Sequence, residues 1–325
     1  MRISIPRGDD DLIGRECPSD ECSPAYFKGK LGTGLTGQPD AFCPYCRQKA
    51  PPTRFYSQGQ LEYAKKIALQ EAQKGIGRLI ENAFGLGPSR QKTLGGGLFS
   101  MKMEYKPASP PTAPRLVEEE LRRDLACPNC HLDHAVYGLA IWCPDCGTDI
   151  FMTHVQSELS VVRKMIGDAE RRRKELGARV AARDMENALE DTVSIFEAVL
   201  RVMAKRHLAN RGIAQSEIDD LLYKRVGSRL QNLSLAAEIC ERELGVSLLS
   251  DLAEDESVRL KATFEKRHPI THNLGIVDAK YLQKVRSGEV EGRDVRVVSV
   301  EIEDSIALVL RVLAGTYKRL FPADL

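Results

Sequence analysis

The chain has 325 residues, with 47 basic and 46 acidic side chains and a formal net charge of +1. This length favours two or more domains. The balanced charge excludes binding of nucleic acid through overall electrostatic attraction, so any such binding must come from local patches. No apolar stretch is long enough to span a membrane, because the longest, around residues 306–313, contains Arg311.

Nine cysteines carry the strongest signal in the sequence, and eight of them form four closely spaced pairs. The N-terminal segment is too polar for a signal peptide, so we expect a cytoplasmic protein whose thiols stay reduced. Paired cysteines in a reducing compartment indicate metal ligands. The ninth, Cys240, lies alone in a helical segment and is predicted to be a small buried hydrophobic residue.

Residues 10–58 are rich in Gly, Pro and Cys and are predicted to form a first zinc ribbon, with a long hairpin or loop between its two cysteine pairs. Basic and aromatic residues surround these pairs. Cations attract phosphates and aromatic rings stack on bases, so the mixture suits contact with nucleic acid. Alternatively, the aromatic residues form the small core of the ribbon. The four ligands are Cys17, Cys22, Cys43 and Cys46, and the surrounding residues are Tyr26, Phe27, Lys28, Lys30, Tyr45, Arg47, Lys49, Arg54, Phe55 and Tyr56.

Two segments separate the first ribbon from the second. Apolar residues recur at helical spacing over residues 59–84, which predicts a helix there. Residues 85–115 contain three consecutive glycines and five prolines. This composition predicts a linker or an extended loop.

Residues 116–152 are predicted to form a second zinc ribbon, in which each Cys-x-x-Cys knuckle directs two thiolates at one metal ion and a hairpin between the knuckles brings them together. Gly147 follows the last cysteine and suits the positive φ of such a knuckle. Four thiolates leave no open position, so we predict two structural Zn²⁺ ions in the chain. The alternative is a catalytic zinc in which a nearby histidine replaces a cysteine. The second set of ligands is Cys127, Cys130, Cys143 and Cys146, and the nearby histidines are His131, His134 and His154.

The rest of the chain is predicted to be helical, which makes the protein mainly α. Residues 153–183 form a connecting helix and residues 184–325 a helical domain. Only Gly167 and Gly177 weaken the helical pattern over 155–209, and basic residues between 163 and 183 are interpreted as a solvated helix face. Further elements are expected as helices at 216–226, 228–244, 250–267 and 303–320, with a short strand at 295–302.

A cluster of polar residues follows the helix predicted at 250–267, where Pro269 breaks the helical pattern. It contains Arg267, His268, His272 and Asn273. A histidine can transfer a proton near neutral pH, and an arginine can hold a phosphate or a developing negative charge. Together these groups suit metal-independent cleavage of RNA.

The string Arg-x4-His-Asn-x-Gly-x-Val-Asp, from Arg267 to Asp278, resembles the motif of the HEPN superfamily as found in bacterial conflict and phage-defence proteins. Residues 188–197 are similar to the first helix of that domain, and the resemblance covers about 184–322. The family usually has a small polar residue after the arginine, where this chain has His268. A second match, Arg201 and His207, continues a helix without a break and is discounted.

The resemblance implies an up-and-down helical bundle that forms a homodimer in which the two copies of the motif face each other. It also implies either a metal-independent endoribonuclease or a domain that binds RNA without cleaving it. In this hypothesis Arg267 holds the phosphate, His272 is the general acid or base, and His268 and Asn273 support them. The zinc ribbons would recognise the RNA target or a protein partner, in a toxin-antitoxin or anti-phage system.

Two alternatives remain open. The chain can be a non-enzymatic adaptor whose ribbons bind nucleic acid or protein and whose helical domain only dimerises. In that case Arg267 would pair with a helix carboxylate such as Glu190 or Asp191, and His272 would cap the next helix. Zinc-dependent hydrolysis is the other alternative, and it requires an open position on a metal ion.

Overall fold

The structure is a computed structural model, and it describes residues 11–84, 91–94, 101–104, 121–285 and 288–322. It is mainly helical, as predicted, with short antiparallel strands towards the N-terminus. The chain divides into two compact units, Met1–Ile150 and Phe151–Leu325. Within the described ranges, every helix is too short or too polar to cross a membrane.

The N-terminal unit is built on a four-stranded antiparallel sheet, whose strands in spatial order are β1 (Leu12–Glu16), β2 (Tyr26–Lys30), β8 (Asp133–Val136) and β7 (Arg123–Ala126). The central pair joins the two cysteine modules, since Phe27 of β2 lies opposite Val136 of β8. Two further hairpins, β3–β4 and β5–β6, complete the strands described. The bounds are β1 Leu12–Glu16, β2 Tyr26–Lys30, β3 Ala41–Phe42, β4 Lys49–Ala50, β5 Gln91–Leu94, β6 Met101–Glu104, β7 Arg123–Ala126 and β8 Asp133–Val136.

The predicted helix at 59–84 is present as α1, Gln58–Phe84. Its start is tied to β1, because the Gln60 side chain donates to the Gly14 carbonyl at 2.8 Å. Several of its large apolar side chains are nevertheless exposed, namely Leu61, Leu69, Ile76 and Leu79. Apart from β5 and β6, the predicted linker at 85–115 lies outside the described residues.

The C-terminal unit is mainly helical in its described residues, with an isolated β-bridge between Ile276 and Asp294. Its centre is α3 (Ala178–Asn210), which contacts both α2 (Phe151–Leu176) and the last helix. Phe196, Leu200 and Val309 are among the side chains buried there. The α-helices are α2 Phe151–Leu176, α3 Ala178–Asn210, α4 Gln215–Asp219, α5 Leu233–Ile239, α6 Glu254–Glu265, α7 Arg267–His272, α8 Ala279–Lys284 and α9 Ser299–Leu320; π-helical turns Asp220–Val226 and Cys240–Leu244 and a 3-10 turn Gly227–Gln231 adjoin α4 and α5.

Two sequence predictions about this unit are wrong. The connecting helix expected at 153–183 ends at Leu176, because Gly177, one of the two glycines expected to weaken the helical pattern, has φ of 97° and separates α2 from α3, whereas Gly167 stays helical. The strand expected at 295–302 is absent, and α9 begins instead at Ser299. Valines favour strands, but Ile302 and Ile306 are four residues apart and fully buried on α9, so tertiary burial overrides the local preference.

The basic residues between 163 and 183 are mostly committed to ion pairs. Arg171 pairs with Asp168 and Glu175 along α2, and Arg179 and Arg183 both contact Glu186 of α3. Exposed pairs of this kind add little to stability, because water and salt screen the charges. Their neutralised charge fits the prediction of a solvated helix face.

Cys240 lies at the start of a π-helical turn and is 1% exposed, as predicted for a small buried hydrophobic residue. It lines a small apolar cavity together with Leu200 and Leu222, and burial raises the pKa of its thiol to about 12. Arg201 closes the neighbouring turns by donating to the carbonyls of Leu222 and Gly227. Arg201 is therefore occupied in holding the fold, in agreement with our exclusion of Arg201 and His207 as a catalytic motif.

Gly315 of α9 lies close against the Asp251 side chain. A Cβ atom there would lie within 2.5 Å of the Asp251 Cγ atom, and the Asp251 carboxylate pairs with Arg319 at 2.8 Å. We expect Gly315→Ala to leave the free energy of unfolding nearly unchanged, because displacing the exposed Asp251 carboxylate from its ion pair with Arg319 offsets the gain in helix propensity. At Gly167 a Cβ atom would meet open space, so the matched variant Gly167→Ala should raise the free energy of unfolding by about 0.5–1 kcal/mol. Urea denaturation measures both, and equal stabilisation would contradict the prediction.

Candidate metal centres and candidate active site

The second cysteine cluster is formed by two knuckles, each inside its own hairpin. Cys127 and Cys130 lie between β7 and β8, and Cys143 and Cys146 lie between Trp142 and Asp149, which form a β-bridge. The predicted hairpin between the two knuckles is therefore wrong, because each knuckle is itself a hairpin turn. Gly147 has φ of 68°, as predicted, and its amide donates to the Cys143 carbonyl at 3.0 Å.

The first cluster repeats this arrangement. Cys17 and Cys22 lie between β1 and β2, and Cys43 and Cys46 lie between β3 and β4. The knuckle closes by a bond from the Arg47 amide to the Cys43 carbonyl at 3.1 Å. Arg47 has φ of 62°, so a left-handed residue follows the second knuckle of both modules.

Both clusters have the dimensions of a four-thiolate zinc site. Pairs of sulfur atoms lie 3.6 Å apart in the first cluster and 3.5 and 3.7 Å apart in the second. Within each group all four sulfurs lie within 4.8 Å of one another. Tetrahedral zinc with Zn–S bonds of about 2.3 Å requires sulfur separations of about 3.8 Å. Each group can therefore hold a metal ion, and Zn²⁺ fits.

The electrostatics of the thiols also favour a cation. Burial raises the pKa of Cys43 and of Cys143, so these thiols resist ionisation. Burial opposes ionisation of Cys146 as well, but hydrogen bonds with Thr148 and Asn129 outweigh it and lower the pKa of Cys146 to about 6. Four thiolates so close together repel one another, and a bound Zn²⁺ removes that repulsion.

The two modules contact each other reciprocally. The Phe42 amide donates to the Pro144 carbonyl at 2.8 Å, and the Trp142 amide donates to the Pro44 carbonyl at 3.0 Å. Phe42 and Trp142 occupy equivalent places, each directly before the first cysteine of a knuckle. Together with the antiparallel β2–β8 pair, these bonds relate the modules by an approximate two-fold axis.

Aromatic packing between the modules follows the same relation. Phe42 lies against Gly147, and the Arg47 guanidinium lies 4.0 Å from the centroid of the Trp142 ring. Phe27 and Phe55 are buried, so they form the small core of the ribbon rather than stacking on bases. Tyr45 is also committed, because its hydroxyl donates to the Tyr26 carbonyl at 2.7 Å.

The histidines near the second cluster do not join it. Among the described residues, both groups able to hold a metal consist of cysteines alone. His134 is buried, with Nδ1 3.1 Å from the Leu132 carbonyl, and His131 is the residue with φ of 59° that closes the first knuckle. His154 belongs to α2 and lies 3.5 Å from Glu158. Four sulfurs saturate a tetrahedral ion, so the arrangement disfavours zinc-dependent hydrolysis.

The candidate catalytic residues lie on and directly after α7. Pro269 cannot bond to the carbonyl of Glu265, four residues earlier, so α6 ends there and a short new helix begins. α7 is held against α3, since the Thr271 hydroxyl donates to Glu190 at 2.7 Å. The Asn273 side chain donates to the Ile276 carbonyl at 2.8 Å and closes the turn after α7.

His268 and His272 are brought together by the helix. They are four residues apart, and their ring centroids lie 5.2 Å apart. His272 is exposed and His268 is half-buried. Burial, with the nearby charge of Lys280, lowers the pKa of His268, so its imidazole is neutral at neutral pH. The sequence ranked His268 only as a supporting residue, although the i, i+4 spacing already indicated this pairing.

Arg267 lies one residue before His268, about 100° around the helix axis. Its Nε atom is buried and without a hydrogen bond. Within the described part of the chain it forms no ion pair, so the alternative in which it pairs with Glu190 or Asp191 is wrong. Glu190 instead accepts from Thr271. The capping role considered for His272 is also wrong, because the Asp278 side chain caps α8 by accepting from the Tyr281 amide at 2.7 Å.

Comparison with known proteins identifies no relative of the chain. No protein-family model matches it. A search of curated proteins and a search of solved structures likewise give no match. The functional argument therefore depends on the two thiolate groups and on the residues of α7.

Proposed function

We propose that this chain is a metal-independent endoribonuclease of the HEPN type, carrying two structural Zn²⁺ ions in its N-terminal unit. The observation that carries the proposal is the pair of imidazoles, His268 and His272, on one accessible face of α7. Arg267 directly precedes the pair in the chain, and its buried Nε atom has no hydrogen bond among the described residues. Two imidazoles and one uncommitted guanidinium are the groups that RNA cleavage by internal transfer needs.

In the proposed reaction, His268, His272 and Arg267 each have one role. Neutral His268 takes the proton of the ribose 2′-hydroxyl, whose oxygen then attacks the adjacent phosphorus. The bond from phosphorus to the 5′-oxygen breaks, and His272, as the general acid, gives a proton to that leaving oxygen. Arg267 stabilises the extra negative charge on the phosphate oxygens. The products are a 2′,3′-cyclic phosphate and a 5′-hydroxyl, and no metal takes part.

Four further assignments belong to the proposal. The protein forms a homodimer through its helical unit, it acts in the cytoplasm, and it belongs to a toxin-antitoxin or anti-phage system. The zinc modules recognise the RNA target or a protein partner. Lys28, Arg54 and Tyr56 remain at least partly exposed there, whereas Lys30 and Lys49 pair with Asp133 and Asp40.

The test uses the purified full chain on a single-stranded RNA and on the same strand with 2′-deoxyribose throughout. We expect cleavage of the RNA alone, with 2′,3′-cyclic phosphate ends identified by mass spectrometry. Brief treatment with EDTA should leave the activity unchanged, because closed four-thiolate sites exchange no ligand with substrate. RNA that stays intact, or cleavage of the deoxy strand, would overturn the proposal.

A second candidate function is a non-enzymatic adaptor that dimerises through its helical unit. One observation favours it, because α1 exposes Leu61, Leu69, Ile76 and Leu79. Neighbouring exposed apolar side chains are surface that a protein partner can cover. The RNA experiment separates the two functions, since an adaptor leaves the RNA intact.

A further inference from the structure

The last cysteine of each zinc module has a different access to solvent. Cys46 of the first cluster is exposed, whereas Cys146 of the second is half-buried. The approximate two-fold relation makes these positions equivalent, so the difference comes from the residues around each sulfur. A thiol that coordinates zinc is deprotonated. Cys46 therefore presents a nucleophilic thiolate to solvent when the first site holds its ion.

Two side chains cover the Cys146 sulfur in the second module. The Asn129 side-chain amide donates to this sulfur at 3.5 Å, and the Thr148 hydroxyl lies 3.2 Å from it. Asn129 and Thr148 also bond to each other, since Asn129 Nδ2 lies 3.0 Å from Thr148 Oγ1. Donors held against a metal-bound thiolate withdraw charge from the sulfur and block approach from that side. The sulfur of Cys146 is therefore shielded from attack on other molecules.

The first module has different residues at both of these places. Glu21 stands at the place of Asn129, directly before the second cysteine of the first pair, and its carboxylate only accepts hydrogen bonds. Gln48 stands at the place of Thr148, two residues after the last cysteine, and its side-chain amide donates to the Lys49 carbonyl at 3.3 Å. Glu21 and Gln48 are both exposed. Neither of them therefore replaces the shielding pair of the second module.

A second thiolate lies within reach of Cys46. The Cys17 sulfur is 3.6 Å from the Cys46 sulfur, and Cys17 is buried. A disulfide bond has a length of about 2.05 Å, so the two sulfurs need to approach by only about 1.5 Å to form one. Cys17 can therefore act as the resolving thiolate for an oxidised Cys46.

We propose that Cys46 is an oxidation site through which hydrogen peroxide opens the first zinc site and leaves the second intact. The Cys46 thiolate attacks one peroxide oxygen, the O–O bond breaks, and hydroxide leaves, so Cys46 becomes a sulfenic acid. The Cys17 thiolate then attacks the Cys46 sulfur, the S–O bond breaks, and a second hydroxide leaves. Two electrons pass from the two thiolates to the peroxide. The remaining thiolates, Cys22 and Cys43, are too few for a structural site, so zinc leaves the first module.

The second module keeps its ion because the new disulfide ties the two knuckles of the first module together in place of the metal. The β2–β8 strand pair and the bond from the Trp142 amide to the Pro44 carbonyl then persist. Removal of a ligand by mutation supplies no such cross-link. This oxidation chemistry is independent of the proposed cleavage of RNA.

The experiment treats the zinc-loaded full chain with hydrogen peroxide and follows zinc release with a chromogenic chelator. We expect one of the two ions to be released and the other to be retained. Alkylation of the remaining thiols, followed by peptide mass spectrometry, should identify a disulfide between Cys17 and Cys46. Reduction with dithiothreitol in the presence of added Zn²⁺ should restore the first site.

Exchange of the shielding residues gives variants that keep all eight ligands. Glu21→Asn combined with Gln48→Thr should slow release of the first ion about tenfold, the effect of a hydrogen bond to a charged sulfur. The reverse exchange, Asn129→Glu with Thr148→Gln, should make the second ion leave as well. Zinc content before oxidation shows that each variant has folded. Retention of both ions or release of both at one rate from the unmodified chain would overturn the inference, as would unchanged release from the Glu21→Asn, Gln48→Thr protein.

Discussion

Replacing Cys143 with serine is expected to release zinc and to unfold the N-terminal unit. Cys143 is fully buried, and its sulfur receives a bond from the Asp145 amide at 3.5 Å. A four-thiolate zinc contributes about 10–16 kcal/mol to the folding of a small module. An ordinary domain has a total stability of only about 5–15 kcal/mol. The folding free energy lost when one ligand is removed therefore exceeds the stability that the small core of this unit can supply.

The effect should reach the first zinc module as well, because the two modules are not independent. They share the β2–β8 strand pair, and the reciprocal bonds of Pro44 and Pro144 join their second knuckles. When the second module unfolds, β2 becomes an edge strand and Phe42 loses its contact with Gly147. We therefore expect the Cys143→Ser protein to lose both zinc ions.

Zinc content per chain, measured by inductively coupled plasma mass spectrometry, and near-ultraviolet circular dichroism test this prediction. The unmodified chain should contain two zinc ions. The control Cys240→Ala removes a buried thiol that lies outside both clusters and should keep both ions. A Cys143→Ser protein that retains one full equivalent of zinc would show that the modules fold independently, contrary to this expectation.

His272→Ala is expected to lower kcat/KM for RNA cleavage by about 10²–10⁴-fold, the usual contribution of a positioned general acid. The fold should survive, because His272 is exposed at the end of α7. The control is His207→Gln, since His207 belongs to the other match in the sequence, Arg201-x5-His207, and packs beside Phe321. Equal activity of the His272 variant and the control would remove His272 from the reaction.

The pH dependence of kcat/KM follows from His268. Burial and Lys280 lower the pKa of His268 below its usual value of about 6.5. The base must be neutral, so activity should fall as the pH decreases through this lowered pKa and should persist at pH values where an ordinary histidine is half protonated. His268→Gln should remove this acidic limb. An acidic limb above pH 7, or one that remains in the variant, would contradict the assignment of His268 as the base.

Much of the zinc chemistry could be predicted from the sequence, because it depends on short-range spacing. Three of the four pairs are Cys-x-x-Cys and the fourth is Cys17-x4-Cys22, and such close spacing keeps the two thiolates of each pair near each other. The eight cysteines form two groups of four that can hold a metal ion. The positive φ of Gly147 and the burial of Cys240 are also local consequences of residue type. The nuclease assignment stays a prediction, since it depends on a motif and on a site that has yet to be tested.

The sequence by itself determined which residues group around each metal site and that the remainder is mainly helical. Only the tertiary structure decided that the two modules share one sheet, because Phe27 and Val136 are far apart in the chain and strand pairing over that distance has no local signal. It likewise decided that residues 299–302 are helical, since burial of Ile302 against the bundle outweighs the strand preference of valine. Residue spacing along the chain determines the local geometry of the cysteine groups. Burial among residues that are distant in sequence determines which strands and helices pack together.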